Sequence, residues 1–330
     1  MSTFTVVMYE EKNFNQWDDF VLNTSVNGTF LQTRTFLNYH PFDRFVDNSL
    51  MILDGKHLVA VVPGCKIEEN GHKTFFSHRG STYGGIVISP KYYFAEKTIA
   101  IVKALDEYLN SRYNKAVLKI TADIHSISSS DLLQYALRYC GYDEYTELNT
   151  YVNLENIDGD VRKTFDRNKI RNIRKCEEQR LYFRALNSDL EIEGFHRLLE
   201  INLSKYSLKP IHSVQEMISF KKDIIPDNIR FYGVFHPNNS MMAAGMMFIF
   251  EQANVIHAQN LSADYRFEEY SPITYMYYRI IEQAKKDGYR ALSWGISTEN
   301  NGKVLNLGLI RNKEAYGSKH QLNRTFYKIF

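Results

Sequence analysis

Apolar and polar residues recur at two periods along this chain, most cleanly in its second half. LYFRAL (181–186) reads as a strand. From Ser188 to Tyr206, Ile192, Phe195, Leu198 and Leu199 fall at helical spacing and make one apolar face. A second helix opens at Ser213, where Glu216 three places on completes a capping box. Each of those side chains satisfies a backbone donor that the first helical turn leaves unpaired. IRFYGVF, MMAAGMMFIF and VIHAQNLSA follow as three strands, the first two joined by the turn HPNNS, which predicts an antiparallel meander. Ser271 and Pro272 suit the cap and first position of a helix reaching Lys286, and Gly288 stops it. ALSW (291–294) is a short buried strand, a helix covers 303–316, and LNRTFYKIF closes the chain as a strand. The predicted order is β-α-α-β-β-β-α-β-α-β.

The first half repeats that order. FTVVMY is followed by helices near 14–22 and 33–39, then by strands SLMIL, HLVAVV and KTFFS. A helix over 95–112 places Ile101, Val102, Leu105, Tyr108 and Leu109 on one face; VLKIT is a strand, and a helix from Asp131 to Cys140 ends at Gly141. YTELNTYVNL leads out of this half. With 330 residues the chain exceeds one ordinary hydrophobic core. The expectation is an α/β (α+β) protein of two similarly built domains, 1–150 and 151–330. Each is a mixed, mostly antiparallel sheet flanked by helices. No Pro/Gly/Ser linker separates them, which predicts a packed pair with a shared cleft.

Composition narrows the function classes. Apolar residues at 44% and charged residues at 24% describe a globular chain. Forty basic against thirty-eight acidic residues give a net charge of +2, which argues against a general nucleic-acid coat and turns attention to local basic patches. Cys65, Cys140 and Cys176 form neither a disulfide framework nor a paired thiolate pattern, so a reducing, cytoplasmic setting is expected. No segment approaches the ~20 apolar residues needed to cross a bilayer, so membrane contact would be peripheral, without insertion. The ten histidines include no pair at i, i+3 or i+4 with a carboxylate partner, and no metal site is expected.

Five features carry candidate chemistry, each beside a plainer role. In NLGLIRNKEAYG (306–317), Lys313 follows a strand that ends in Gly295. It is either a solvated charge complementing the helix dipole, with Gly317 as C-cap, or a cation fixed at the strand end. In SHRGSTYGGIV (77–87), Gly80, Gly84 and Gly85 let backbone N–H groups approach a phosphate beside His78, Arg79 and Tyr83, or mark only a bend. In RNKIRNIRK (167–175), Arg167, Arg171, Arg174 and Lys175 share one helix face, suited to phosphates or merely to water. His257, on a central strand, is a base or a hydrogen-bonded interior residue. Trp294 and Tyr316 are core side chains or borders of the cleft.

Those stretches, with FLNYHPFDRFVDNSL (36–50) and the pair WGIST and GLIRNKEAYG (294–298 and 308–317), resemble the FemAB-like branch of the GNAT acyltransferase superfamily. Its members join two GNAT-like domains in one chain, and the resemblance covers nearly all of this one. It implies transfer of an acyl group from an acyl thioester, with acyl-CoA as co-substrate, to an amino group. The acceptor it implies is a small molecule, a sugar, or a cell-envelope or polysaccharide precursor. On that reading Lys313 polarises the carbonyl and His78 or His257 handles the proton. Arg79, Tyr83, Gly84 and Gly85 hold phosphate or substrate, Arg167 and Arg171 meet acceptor charge, and Trp294 and Tyr316 border the site. SADYRFEEYSP departs from the Gly- and Arg-rich turn of conventional acetyl-CoA enzymes, since Glu268 and Glu269 would repel a diphosphate. The long charged helical arm of tRNA-using members is not present. An aminoacyl-tRNA donor and a non-catalytic binding module on the same fold are the alternatives.

Overall fold

The computed structural model describes residues 4–41, 43–205 and 207–330. Phe42 and Tyr206, which belong to stretches named above, and the first three residues lie outside the described residues. The chain divides into two compact units, Met1–Glu147 with Leu322–Phe330, and Leu148–Gln321.

In the first unit the elements run β1 (Thr5–Met8), α1 (Phe14–Asp19), α2 (Arg34–Leu37), β2 (Val46–Asp47), β3 (Leu50–Asp54), β4 (His57–Val62), β5 (Cys65–Glu69), β6 (His72–Ser77), β7 (Val87–Ile88), α3 (Ala95–Asn110), β8 (Lys115–Lys119), α4 (Asp131–Tyr139) and the start of β9 (Asp143–Asn153). Strands β1, β3, β4 and β7 form one sheet. In a second, β5 and β6 pair antiparallel, β6 and β8 parallel, and β8 receives residues 325–329 from the chain's end antiparallel. Helix α3 buries Ile101, Val102, Leu105 and Leu109, as its periodicity requires. Strand β5 has no counterpart in the expected order: its inner end is apolar and its outer end, Glu68 and Glu69, is exposed, a pattern that reads as loop.

The second unit contains α5 (Arg167–Glu178), β10 (Tyr182–Ala185), α6 (Asp189–Ser204), α7 (Val214–Ser219), β11 (Ile229–Phe235), β12 (Met241–Phe250), β13 (Val255–Ala263), α8 (Pro272–Lys286), β14 (Ala291–Ile296), β15 (Thr298–Glu299), β16 (Val304–Leu305), α9 (Leu307–Glu314) and the start of β17 (Lys319–Ile329). Both capping boxes form, at Ser188/Glu191 and at Ser213/Glu216. Strands β10 to β13 make the expected antiparallel meander, β14 joins β13 in parallel, and residues 149–153 of β9 pair with β14 antiparallel. The result is the mixed, mostly antiparallel sheet flanked by helices that the pattern predicts. Met276, Ile280, Ile281 and Ala284 of α8 pack with Met242, Met247 and Leu292 in this unit's core.

Two local expectations change. Pro272 takes the first helical position of α8, but Ser271 is left-handed at φ +54° and its side chain caps nothing. The helix read over 303–316 is shorter, because Val304 and Leu305 pair with Thr298 and Glu299 as a small ladder. Asn306 then caps α9 by accepting the Leu309 N–H at 3.0 Å.

Candidate active site

Strands β13 and β14 run side by side only from Val255/Ala291 to His257/Ser293. Beyond that rung they part. β13 stays with β12 as far as Ala263, while β14 turns to β9 through Gly295/Thr150 and Ile296/Asn149. Each strand carries an irregularity at the opening. The register of β12 and β13 slips between Met246 and Met247, leaving Gln259 as the extra residue, and that of β14 and β9 slips at Trp294. Such bulges bend a strand and leave backbone groups outside the ladder, which is how sheets open beside a site.

Lys313 closes the end of β14. Its side chain is buried, and its ammonium donates to the carbonyls of Gly295 at 3.0 Å and Ile296 at 2.9 Å. Helix α9 fixes this reach, and the Lys313 carbonyl is held in turn by the Ser318 hydroxyl at 2.7 Å. Loss of water pulls the ammonium's pKa down to about 8. The solvated-charge alternative is therefore not the geometry found: Lys313 is inside, with two acceptors and a third donor direction left over.

His257 stands on the last shared rung. Its Nδ1 is 2.9 Å from the Ser293 hydroxyl, which also receives Asn149 Nδ2 at 3.5 Å and the Gly295 N–H at 3.4 Å. Burial, and then the Lys313 charge, lower the imidazole's pKa to about 4, so the ring is neutral near pH 7. Gly295 is left-handed at φ +74°, and a Cβ there would sit 3.4 Å from His257 Cε1 and 3.8 Å from Nε2. Glycine thus supplies the backbone turn without placing a Cβ against the ring.

An aromatic stack backs this corner. Tyr277 lies 4.5 Å from Trp294 and stacks on Tyr316 at 4.9 Å, with Phe165 edge-on to Tyr316 at 5.2 Å. Trp294 and Tyr316 are both core side chains, Tyr316 fully so, and burial raises the Tyr316 phenol far above its usual pKa. Lys169 of α5 sits over the Tyr316 ring at 4.9 Å and donates to Asn312 Oδ1 at 2.6 Å. Trp294 Nε1, Ser297 Oγ and Thr298 Oγ1 are buried and find no hydrogen-bond partner among the described residues. Unpaired polar atoms gathered at one strand end are rare in a packed interior and fit a place where substrate docks. Sequence reasoning missed Lys169, Ser293, Asn149, Ser297 and Thr298; Asn149 and Ser293 meet only through strand pairing.

The first unit holds the other candidates. His78 is buried, accepts the Gly80 N–H on Nδ1 at 3.1 Å, and is lowered to about 4 by burial. It lines a cavity of about 880 Å3 with Tyr9, Arg34, His40, Phe45 and Asp47. Tyr83 is buried with its hydroxyl 2.9 Å from His125 Nδ1, and Arg79 is exposed. The glycine turn does not offer its amides to phosphate. The Gly84 N–H donates to the Lys119 carbonyl at 3.0 Å and the Gly85 N–H to Ser77 Oγ at 3.1 Å. A Cβ on Gly84 would lie 2.4 Å from the His78 nitrogen, so glycine is needed there for close backbone packing.

Arg167, Arg171, Arg174 and Lys175 are exposed along α5. Glu268 and Glu269 are exposed in the turn just before α8, a terminus ill suited to a diphosphate. Among the described residues no group of three or more His, Cys, Asp or Glu could hold a metal ion, and no helix is long and apolar enough to cross a membrane.

Residues 164–301 match the family model described as acetyltransferase (GNAT) domain. The crystal structure of FemX, 10% identical, has the same fold with a TM-score of 0.71 over 99% of this chain and 97% of that one. Residues 164–301 thus match a GNAT acetyltransferase domain, and the whole chain has the fold of FemX. L-PGS from Bacillus licheniformis is 10% identical, with a TM-score of 0.58 over 85% of this chain and 83% of that one. A tandem GNAT protein from the clavulanic acid biosynthesis pathway, also 10% identical, has a TM-score of 0.55 over 99% and 98%. No functionally curated protein matches the sequence.

Proposed function

We propose that this acyltransferase moves an acyl group from an activated carrier, an acyl thioester such as acyl-CoA, to the amino group of a sugar or cell-envelope precursor. The observation that carries the reading is the opening of β13 from β14 beside the buried Lys313 ammonium. Amine attack on an acyl carbonyl builds negative charge on oxygen, and a preorganised donor in a water-poor site stabilises that charge more than water does. Lys313 supports this role because α9 and two carbonyls hold it in place, with one donor direction uncommitted. The unpaired Trp294, Ser297 and Thr298 atoms add polar groups at the same strand end.

A second reading, an aminoacyl-tRNA donor, is favoured by two observations. Carboxylates stand before α8 where a CoA diphosphate would seek a helix terminus, and α5 exposes a row of cations suited to nucleic-acid phosphates. The donors separate cleanly by experiment. The protein is incubated with amino-sugar acceptors and either a panel of acyl-CoAs or charged tRNA, and products are read by mass. Acylated product from acyl-CoA alone, indifferent to ribonuclease, supports the first reading. Product only from charged tRNA, lost on ribonuclease treatment, replaces it by the second. Saturable acceptor binding with no product from any donor contradicts both.

A further inference from the structure

Lys169 of α5 is half-buried, and among the described residues its ammonium has no ion-pair partner. It lies over the Tyr316 ring at 4.9 Å and donates to Asn312 Oδ1 at 2.6 Å. Burial lowers its pKa, with the more distant Asp166 charge opposing. An ammonium taken from water without a close anion is costly, and an apolar side chain of similar length would avoid that cost. What the ammonium adds is its hold on Asn312, which stands next to Lys313 in the last turn of α9. The same amide reaches the Tyr277 phenol: burial raises that phenol's pKa, and the bond with Asn312 lowers it. Tyr277 stacks on Tyr316 at 4.9 Å, so Lys169 and Asn312 tie α5, α8 and α9 around one pair of rings. A second tie runs from the cap of α5, where the Asp166 N–H donates to the Ala315 carbonyl at 2.9 Å.

We propose that Lys169 is a positioning residue for acyl transfer: acting through Asn312, it fixes the last turn of α9 and so the direction in which Lys313 presents its ammonium. The proposal rests on the reading above for the chemistry of Lys313, though not for the hold itself. Consecutive helical residues leave the axis about 100° apart. Asn312 is therefore gripped on one side of the turn while Lys313 reaches the Gly295 and Ile296 carbonyls on another, at 3.0 and 2.9 Å. A turn pinned in this way cannot rotate without drawing Lys313 off both carbonyls. Lys169 meets the reaction only through α9.

The titration of Lys313, followed by the carbon-13 shift of its Cε in lysine-labelled protein and assigned with Lys313→Met, tests this directly. In the wild type it falls near pH 8 and not at the ordinary 10.5, and burial alone causes the lowering, so loss of the Lys169 charge does not of itself move it. In Lys169→Met, with folding checked by near-ultraviolet circular dichroism, the Lys313 titration is expected to rise by about one pH unit or more as the ammonium returns to water. An unmoved titration overturns the proposal and leaves the hold on α9 to the Asp166 N–H. Asn312→Ala is expected to give the same rise, and the double variant no more than either single one; additive rises overturn the route through Asn312. In transfer assays Lys169→Met is expected to lose about tenfold or more in kcat with KM little changed, whereas a change in KM alone overturns the positioning role. A wild-type protein that transfers nothing from any donor sinks the acyl-transfer reading, and the Lys313 titration still decides whether Lys169 holds it.

Discussion

Burial and two carbonyls pull on Lys313 in opposite directions. The carbonyls hold the ammonium in place, while lost water disfavours its charge and brings its pKa from 10.5 to about 8. Between those values the unfolded chain binds more protons than the folded one, so stability rises as pH climbs from about 8 to about 10.5. Lys313→Met should remove that rise in urea-unfolding free energies, and an unaltered slope would assign it elsewhere. Two histidines with lowered pKa values act in the acid range. His78 and His257 titrate near 4 when folded and near 6.5 when unfolded, so stability falls as pH drops from about 6.5 to about 4. His257→Gln is expected to lessen that acid loss. Lys313 was visible in the sequence because it sits on a short helix that follows a strand ending in glycine, and His257 because it sits on a central strand that periodicity marks. Ser293 and Asn149 were not, since neither has a local signature and they meet across a ladder that only folding builds.

At the scale of elements, three glycines with different surroundings give opposite expectations. Gly308 lies within α9, and a Cβ there would touch only Asn306 Oδ1 at 3.7 Å. Gly308→Ala should raise stability by roughly 0.5–1 kcal/mol through helix propensity. Gly84→Ala drives a Cβ into the His78 and Ser77 backbone at 2.4 Å, and a loss of about 2 kcal/mol or more is expected. Urea midpoints measure both. Gly295→Ala forces an L side chain into a left-handed turn against His257 and should cost about 1 kcal/mol while lowering transfer more than it lowers the folded fraction. The sequence displays Gly80, Gly84 and Gly85 as one motif and reads naturally as a phosphate turn. What decides otherwise is that Lys119 and Ser77 already take the N–H groups of Gly84 and Gly85, and those partners are set by the pairing of β6 with β8. Helices announced themselves better: both capping boxes and the apolar face of α3 needed only local spacing.

Across the whole chain, the last residues return to the first unit. Phe326 is fully buried in that unit's core, residues 325–329 complete its sheet beside β8, and Lys328 bonds Asp106 at 2.9 Å and the Cys140 carbonyl at 2.7 Å. A chain ending at residue 321 loses a buried phenylalanine, worth about 3–5 kcal/mol by itself, together with a strand. Hydrogen exchange should then show the first unit unprotected and the second retained; equal protection in both would contradict this. Residues 1–150 expressed alone lack the same strand and should fail to fold. Periodicity identified LNRTFYKIF as a strand, but its partner lies some two hundred residues earlier, beyond the reach of any local pattern. On the proposed function, acyl transfer to an amine takes place at the end of β14 under the Lys313 ammonium. The most direct measurement is product mass after single-turnover incubation of donor and amino acceptor with wild type and with Lys313→Met of equal folded fraction. One added acyl group with wild type and a fall of about a hundredfold or more with the variant is the predicted result; equal rates for the two proteins would contradict it.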